Sequence, residues 1–273
     1  MGPLIIRLLT LLNNEKTTST YYHIAETLLK NYNQIAEVSI SEIAALCNVS
    51  KSTMSKFARF IGFEDYFDLK NAAPFAENKY HFDLNYLSNI IRPIETQGYE
   101  PYLDAIINDI ASFRDKVNMD AIDRLAQDLV HFEKVGAFGL LFSESAAIDF
   151  QYKLAYSEKF IVTFQSDVKQ VEYIEEADEE TLIVIFSNSG GFLQRQQLRE
   201  NIPYKNIFEK SKAKIYVITA NQEVENYPFI DDVILFPHET KFQTHAYIYQ
   251  IIMDLIISRY RYFKNKKNAE LEN

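Results

Sequence analysis

Short hydroxyl and basic side chains are concentrated over residues 50–59, in an order that suits contact with DNA. Small polar side chains let a helix enter the major groove, where its N-terminal residues reach base edges. Lysine and arginine bind the phosphates that fix the register of the protein on the duplex. The side chains that we assign to DNA are Ser50, Lys51, Ser52, Thr53, Ser55, Lys56 and Arg59.

These side chains have different expected roles. Lys51 and Arg59 are assigned to phosphates, and Ser50 is expected to cap the helix that carries the set. The remaining hydroxyls and Lys56 are assigned to the groove. A helical hairpin that only packs is the alternative, because helix-turn-helix geometry is common.

A second set of hydroxyls follows two apolar, β-rich runs. Ser143 comes shortly after residues 134–140, while Ser187, Ser189 and Gly190 come directly after residues 181–186. Ligands of open α/β sheets bind outside the carboxyl ends of the strands, where helix N-termini favour anions. The sequence therefore predicts a phosphate site at these turns, with a simple polar strand-to-helix turn as the alternative.

The DNA-directed residues need a pair of helices to position them. Ser39 and Glu42 have the spacing of a capping box, which predicts the start of a helix. Ser50 is expected to cap the next helix, and Gly62 to end it. Residues 39–62 are thus expected to form a helix, a tight turn and a second helix.

The ligand-directed residues need a sheet. Five short β-rich runs alternate with helical stretches: residues 134–140, 160–164, 181–186, 214–219 and 232–236. This alternation predicts a three-layer αβα domain with a five-stranded parallel sheet of flavodoxin-like type. The expected organisation is an all-α helix-turn-helix domain over 1–77, a linker over 78–98, the α/β domain over 99–264 and a polar tail over 265–273.

Charge and cysteine content narrow the class of protein. The net charge is −10, but residues 1–77 hold 7 basic and 8 acidic side chains, which leaves 21 and 30 for the rest. Any DNA contact therefore depends on local placement of charge. The single cysteine excludes an intrachain disulfide and suits the cytoplasm. We find no signal peptide and expect no membrane partner.

Residues 39–70 resemble the N-terminal domain of the RpiR-type regulators. The resemblance rests on the run from Ser39 to Phe57, on Ile61-Gly62-Phe63 and on Asp68-Leu69-Lys70. It implies a domain that binds a double-stranded DNA operator and is paired with a sugar-isomerase-type (SIS) domain. Lys56 stands where this family often has arginine, so the charge is kept and the bidentate fork is lost.

Residues 120–257 resemble that SIS domain, which binds phosphorylated sugars. Gly139 and Ser143 match its Gly-x-Gly-x-Ser turn, and Ser187, Ser189 and Gly190 match its Ser-x-Ser-Gly-x-Thr loop. The resemblance implies these as the ligand-binding residues. Three departures are Leu141 in place of the second glycine, Phe192 in place of threonine, and His245 in place of arginine. They predict an altered or narrowed pocket.

Three functions stay open on the sequence. The first is a regulator of carbohydrate genes, working as a homodimer or homotetramer under the control of a small phosphorylated sugar. The second is a sugar-phosphate isomerase-like enzyme, and the third is a DNA binder with a degenerate pocket. We favour the first and expect no enzyme activity, because no catalytic constellation, no metal-ligand spacing and no cofactor motif stand out.

Overall fold

The computed structural model describes residues 3–73, 86–194 and 207–271. The chain divides between residues 85 and 86 into two compact units, which are described separately. Residues 74–85, the first part of the predicted linker 78–98 among them, lie outside the described residues.

The N-terminal unit is helical. Its α-helices are α1 (Pro3–Asn14), α2 (Thr20–Lys30), α3 (Ile40–Leu46), α4 (Lys51–Phe60) and α5 (Tyr66–Asn71). The capping box is confirmed, because the Ser39 backbone N–H donates to Glu42 Oε2 at 2.7 Å while Glu42 N–H donates to Ser39 Oγ. Gly62 ends α4 as predicted, with a φ of +89° and its N–H bonded to Arg59 O. The helices enclose one apolar core that includes Leu8, Ile24, Leu28, Met54 and Phe57.

The C-terminal unit is an α/β domain. Its strands are β1 (Lys134–Phe138), β2 (Thr181–Phe186), β3 (Lys214–Thr219) and β4 (Asp232–Leu235). Its α-helices are α6 (Arg92–Gln97), α7 (Glu100–Lys116), α8 (Met119–His131), α9 (Phe142–Ala155), α10 (Asp167–Glu176), α11 (Gly191–Gln194), α12 (Ile207–Lys210) and α13 (His245–Leu271). The strands are parallel and lie in the order β1-β2-β3-β4.

Alternate side chains of the strands enter two different apolar layers. Leu182, Val184 and Phe186 of β2 pack with residues of α8, α9 and α13. Ile183 and Ile185 pack on the other face, with residues of α10, α11 and α12. A strand that is buried on both faces is typical of a parallel sheet covered by helices, so the predicted three-layer architecture is confirmed.

Among the described residues the sheet has four strands rather than the five predicted, because residues 160–164 do not form one. Val162 alone pairs with β1, through Val162 N–H to Val135 O and Ala137 N–H to Val162 O, each at 2.9 Å. The next acceptor that faces β1, Phe164 O, accepts from Gln170 Nε2 at 2.6 Å instead, and the same amide donates to Gly139 O at 3.0 Å. The side chain of Gln170 therefore stands where a further ladder bond would form, and the pairing stops after one residue.

Two predicted irregular segments are helical where the structure describes them. Residues 86–97 of the expected linker form a π-helical turn, Leu87–Ile91, followed by α6. The expected tail over 265–273 continues α13 as far as Leu271. Lys264 anchors this end of the helix, since its Nζ donates to Ser157 O at 2.8 Å and to Glu158 Oε2 at 3.1 Å. None of the described helices is long and apolar enough to cross a membrane.

Candidate functional site

The turn between α3 and α4 fixes where the DNA-directed side chains begin. Asn48 adopts a left-handed φ of +53°, and Val49 N–H returns to Ala44 O at 2.9 Å. Ser50 caps α4, because its Oγ accepts the Thr53 N–H at 3.0 Å and lies 2.9 Å from the Thr53 hydroxyl. Without DNA, the side chains of Ser50 and Thr53 are therefore hydrogen-bonded to each other.

The outer face of α4 carries the rest of the predicted set. Met54, Phe57 and Ala58 are buried in the N-terminal core. The exposed side chains are Lys51, Ser52, Lys56 and Arg59, and the partly exposed ones are Thr53 and Ser55. The helix thus presents three cations and several hydroxyls away from the core, as a groove-reading helix requires.

The first ligand turn joins β1 to α9. Ser143 is buried at the start of α9, and its N–H donates to Leu140 O at 3.1 Å. A Cβ on Gly139 would lie 2.6 Å from the Ser143 backbone, so this close approach requires glycine. Leu141 has a φ of +58°, a conformation that favours glycine, so this departure from the motif leaves a strained residue beside the turn.

The second ligand loop joins β2 to α11, and its serines accept backbone N–H groups from the first turn of that helix. Ser187 Oγ accepts the Phe192 N–H at 3.2 Å, and Ser189 Oγ accepts the Gly191 N–H at 3.3 Å. Each hydroxyl keeps its own hydrogen for donation to an anion. Gly190 has a φ of +74°, and a Cβ there would lie 2.8 Å from Val224 Cγ2.

Residues after β3 hold this loop in place. The Thr219 hydroxyl donates to Asn188 O at 3.0 Å, and Asn221 Nδ2 donates to Ser189 O at 3.0 Å. The loop therefore has a fixed backbone that is supported from the neighbouring strand.

The ring of Phe192 lies away from the predicted pocket. It is buried in the apolar layer with α12, and its centroid is 5.9 Å from that of Phe208. The substitution of phenylalanine for threonine thus removes a hydroxyl from the loop, but it places the ring in the core.

Tyr249 of α13 lies between the two predicted turns, and the sequence motifs did not reveal it. Burial raises the pKa of its phenol, while the side chain of Ser143 and the backbone of Asn188 offset part of this effect. The hydroxyl is thus near one residue from each turn, yet it makes no hydrogen bond of normal geometry with the described residues. Tyr249 is one helical turn after His245, and this i, i+4 spacing at the start of the last helix is the signal that could have identified it.

Several other buried polar groups lie on the segment that enters α13. His245 is fully buried, and its ring centroid is 5.5 Å from that of Tyr249. Burial and the neighbouring His238 lower the pKa of His245 to about 4, so the ring is neutral near pH 7. Both His245 nitrogens, the side-chain amide of Gln243 and Asn188 Oδ1 have no hydrogen-bond partner among the described residues. Neutral groups of this kind suit the hydroxyls of a polar ligand.

A hydrogen-bonded cluster supports this segment from α7. Asp109 is buried, and its Oδ2 lies 3.0 Å from His238 Nδ1 and accepts the Thr244 hydroxyl. Asp109, His238 and Thr244 are far apart in the sequence, so spacing alone gave no sign of the cluster.

Glu144 directly follows Ser143 in the first turn and carries a carboxyl group. Burial and the charge of Asp167 raise its pKa to about 7, while a bond from Gln165 opposes the shift. A carboxyl group that titrates near neutral pH can exchange a proton with a ligand. Among the described residues, no three His, Cys, Asp or Glu side chains are grouped as a metal site requires.

The helical unit matches the sequence model of a known protein family. Residues 6–73 match the model for "Helix-turn-helix domain, rpiR family". An uncharacterized HTH-type transcriptional regulator in the aarA 3' region of Providencia stuartii is 24% identical over 193 residues, which cover 70% of this chain and 67% of that protein. The HTH-type transcriptional regulator HexR of Pseudomonas aeruginosa is 27% identical over 203 residues, or 72% and 67% of the two chains.

Among solved structures, the NanR protein of Vibrio vulnificus in complex with ManNAc-6P has a similar fold. The match has a TM-score of 0.50 and 13% sequence identity, and it covers 98% of this chain and 97% of that one. At this identity the similarity concerns the fold alone.

Proposed function

Residues 6–73 form a helix-turn-helix domain of the rpiR family, and from this premise we propose that the chain is a cytoplasmic, DNA-binding transcriptional regulator of carbohydrate genes. The observation that carries the proposal is the family match together with the outer face of α4. That face holds Lys51, Ser52, Lys56 and Arg59, all exposed, on a helix whose other face is anchored in the core.

Ser52, Ser55 and Lys56 reach base edges in the major groove, and Thr53 joins them when its bond to Ser50 exchanges for a base. Lys51 and Arg59 bind phosphates on either side of the groove. A homodimer places two such helices on a palindromic operator, with half-sites one helical turn or a multiple apart.

The C-terminal domain responds to a small phosphorylated sugar at the carboxyl ends of β1 and β2. Ser143, Ser187 and Ser189 bind the phosphate through their hydroxyls. Gly190, whose own N–H donates to Ser187 O at 3.1 Å, is the ligand-binding residue that lets the loop backbone approach the anion without a side chain in the way. The neutral groups of His245, Gln243 and Tyr249 receive the sugar hydroxyls. NanR, which shares the fold, is a protein complexed with ManNAc-6P.

Footprinting of the DNA that flanks the chain's own gene tests the DNA-binding role. The proposal expects two protected half-sites related by two-fold symmetry, with protection lost in Lys56→Ala and Arg59→Ala. Uniform protection without sequence preference, equal in wild type and variants, would contradict the assignment to α4.

A sugar-phosphate isomerase is the second candidate, and Glu144 favours it. A base whose pKa is about 7 lies next to Ser143, where proton transfer to a bound sugar could occur. The regulator names of both curated relatives support the first candidate. Turnover of phosphorylated ketoses by the wild type, lost in Glu144→Gln, would decide for the enzyme.

A DNA binder with a degenerate pocket is the third candidate, and Leu141 favours it. Its strained backbone replaces the glycine that would allow a ligand to approach the first turn. A melting temperature that rises with operator DNA but with no sugar phosphate would decide for this candidate.

A further inference from the structure

One face of α7 is apolar and exposed. Leu103, Ile107 and Ile110 follow one another at spacings of four and three residues, which places them in one row on the helix. Their exposed fractions are 46%, 62% and 39%. Ala105, Asp109 and Phe113 occupy the opposite face and are buried in the C-terminal unit. The helix thus has a second apolar row that the described residues of its own unit leave exposed.

The apolar row is flanked by an acidic side chain at one end and a basic side chain at the other, at equal distances from Ile107. Glu100 lies seven residues before Ile107 and Arg114 lies seven residues after it, which is about two helical turns each way. Both are exposed, and the Arg114 guanidinium forms an ion pair with its sequence neighbour Asp115 at 2.8 Å. Read along the helix, the face is acidic, apolar over three positions and then basic.

Such a face is complementary to itself in the antiparallel direction. We propose that the row Glu100-Leu103-Ile107-Ile110-Arg114 pairs with the same row of a second copy of this chain across a two-fold axis at Ile107. Glu100 then faces Arg114 of the partner subunit, and Leu103 packs near Ile110 of the partner subunit. A parallel pairing would bring like charges together, so the charge order selects the antiparallel arrangement, with the two-fold axis perpendicular to the helices.

The position of α7 is fixed firmly enough to serve as an interface. Asp109 anchors its buried face to His238 and Thr244. The Tyr102 hydroxyl lies 3.1 Å from that of Tyr247 on α13, and Lys116 bonds to Glu239 at 2.9 Å. The row is therefore presented by a helix held at its beginning, middle and end.

This inference deepens the proposed function and rests on it in one respect, because a regulator of palindromic operators needs a second copy. The same helix contacts the segment that enters α13, where His245 and Tyr249 lie. A ligand bound there would act next to the residues that hold the interface helix.

Sedimentation equilibrium of the full chain at low salt tests the pairing. The chain mass is 31.8 kDa, and the wild type is expected at twice or four times this value. Ile107→Glu places two carboxylates at the axis and is expected to raise the dissociation constant by about 100-fold or more, which halves the mass. Tyr156→Glu, at another exposed apolar position on the same unit, is the control and should change nothing.

Charge reversal tests the direction of pairing. Glu100→Arg alone and Arg114→Glu alone should each weaken association by about 10-fold, because each dimer contains the pair twice. The double variant E100R/R114E should return to within about threefold of wild type. The side chains replaced in these two experiments are all exposed: Glu100, Ile107, Arg114 and Tyr156. The thermal melts followed by circular dichroism should therefore be unchanged, which verifies that the variants fold.

The outcomes separate the interface from the function. A monomeric wild type, or an assembly that Ile107→Glu leaves intact, overturns the interface even if the operator is bound. A wild-type dimer that Ile107→Glu dissociates, but that binds no operator, supports the interface and overturns the proposed function.

Discussion

Ser187 Oγ accepts the backbone N–H of Phe192 at 3.2 Å, so the first serine of the predicted phosphate loop also satisfies a backbone donor in the first turn of α11. One lone pair of the hydroxyl is committed to the protein, and its hydrogen is available for an anion. The same side chain therefore contributes to folding of the loop and to ligand binding, and the two contributions can be separated by mutation.

Ser187→Ala should lower the free energy of unfolding by about 1 kcal/mol, because the buried Phe192 N–H loses its acceptor, and should also blunt the response to sugar phosphate. Thermal unfolding with and without the ligand measures both effects. Ser211→Ala is the matched control, because Ser211 Oγ also accepts a backbone N–H, that of Ala213 at 3.3 Å, away from the loop. The control should lose stability and keep its ligand-induced shift. Equal ligand-induced shifts in both variants would argue against Ser187 as a ligand residue.

Leu141→Gly should tighten ligand binding without loss of stability. Leu141 has a φ of +58° beside Ser143, and relief of such strain is worth about 1–3 kcal/mol, which offsets the flexibility that glycine adds to the unfolded chain. Thermal unfolding and titration with sugar phosphates measure the two quantities. Leu140→Gly, one residue earlier, should be destabilising. A large loss of stability in Leu141→Gly would show that the leucine is accommodated without strain.

The pH dependence of stability should contain two opposing contributions from the ligand region. The pKa of Glu144 is raised from 4.5 to about 7, so its contribution to stability falls as the pH rises from 4.5 through 7. The pKa of His245 is lowered from 6.5 to about 4, so its contribution falls as the pH drops from 6.5 through 4. Between pH 4.5 and 6.5 the two slopes oppose each other.

Replacing Glu144 or His245 removes its contribution, so the pH dependence of stability due to the other residue should become visible. Glu144→Gln should become more stable with rising pH between 4.5 and 6.5, relative to wild type, and His245→Phe should show the reverse trend. Urea unfolding at half-unit pH intervals measures both. Parallel curves for the wild type and Glu144→Gln would mean that the carboxyl group is solvated and titrates normally.

On the DNA-reading face, Lys51→Ala should weaken binding to every sequence and reduce the slope of log affinity against log salt by about 1.

Lys56→Ala should weaken operator binding by about 10-fold or more, with a larger loss on the operator than on random DNA. Lys30→Ala is the control, since this exposed lysine pairs with Glu26 on α2. Fluorescence anisotropy at several salt concentrations measures these effects. Identical salt slopes in all three variants would remove Lys51 from the phosphate contacts.

Replacing Ser50 should change the stability of the protein, whereas replacing Ser52 should change its DNA sequence preference. Ser50→Ala removes the cap of α4 and should cost about 1 kcal/mol of stability. Ser52 is exposed and its replacement by alanine should leave stability unchanged while relaxing sequence preference in a binding-site selection. An unchanged selected sequence in Ser52→Ala would exclude this hydroxyl from base readout.

Local sequence signals predicted most of the elements, because those elements depend on local interactions. The capping box at Ser39, the end of α4 at Gly62 and the range of β2 all follow from neighbouring residues. The four confirmed strands are buried on both faces, and their apolar runs are correspondingly long.

The errors and omissions arise from contacts between distant residues. The fifth strand is absent because the side-chain amide of Gln170, on α10, bonds to Phe164 O and Gly139 O where pairing with β1 would continue. Asp109 joins His238 and Thr244 across more than a hundred residues of sequence. The site of Tyr249 likewise depends on how α13 packs, which a motif of neighbouring residues does not contain.

The most direct test of the central claim is fluorescence anisotropy of the full chain on DNA flanking its own gene, at two salt concentrations, with and without a panel of phosphorylated sugars. The account predicts specific, salt-sensitive binding that one sugar phosphate alters, and that Ser189→Ala no longer couples to that sugar. Binding that is equal on flanking and random DNA at both salt concentrations would contradict it.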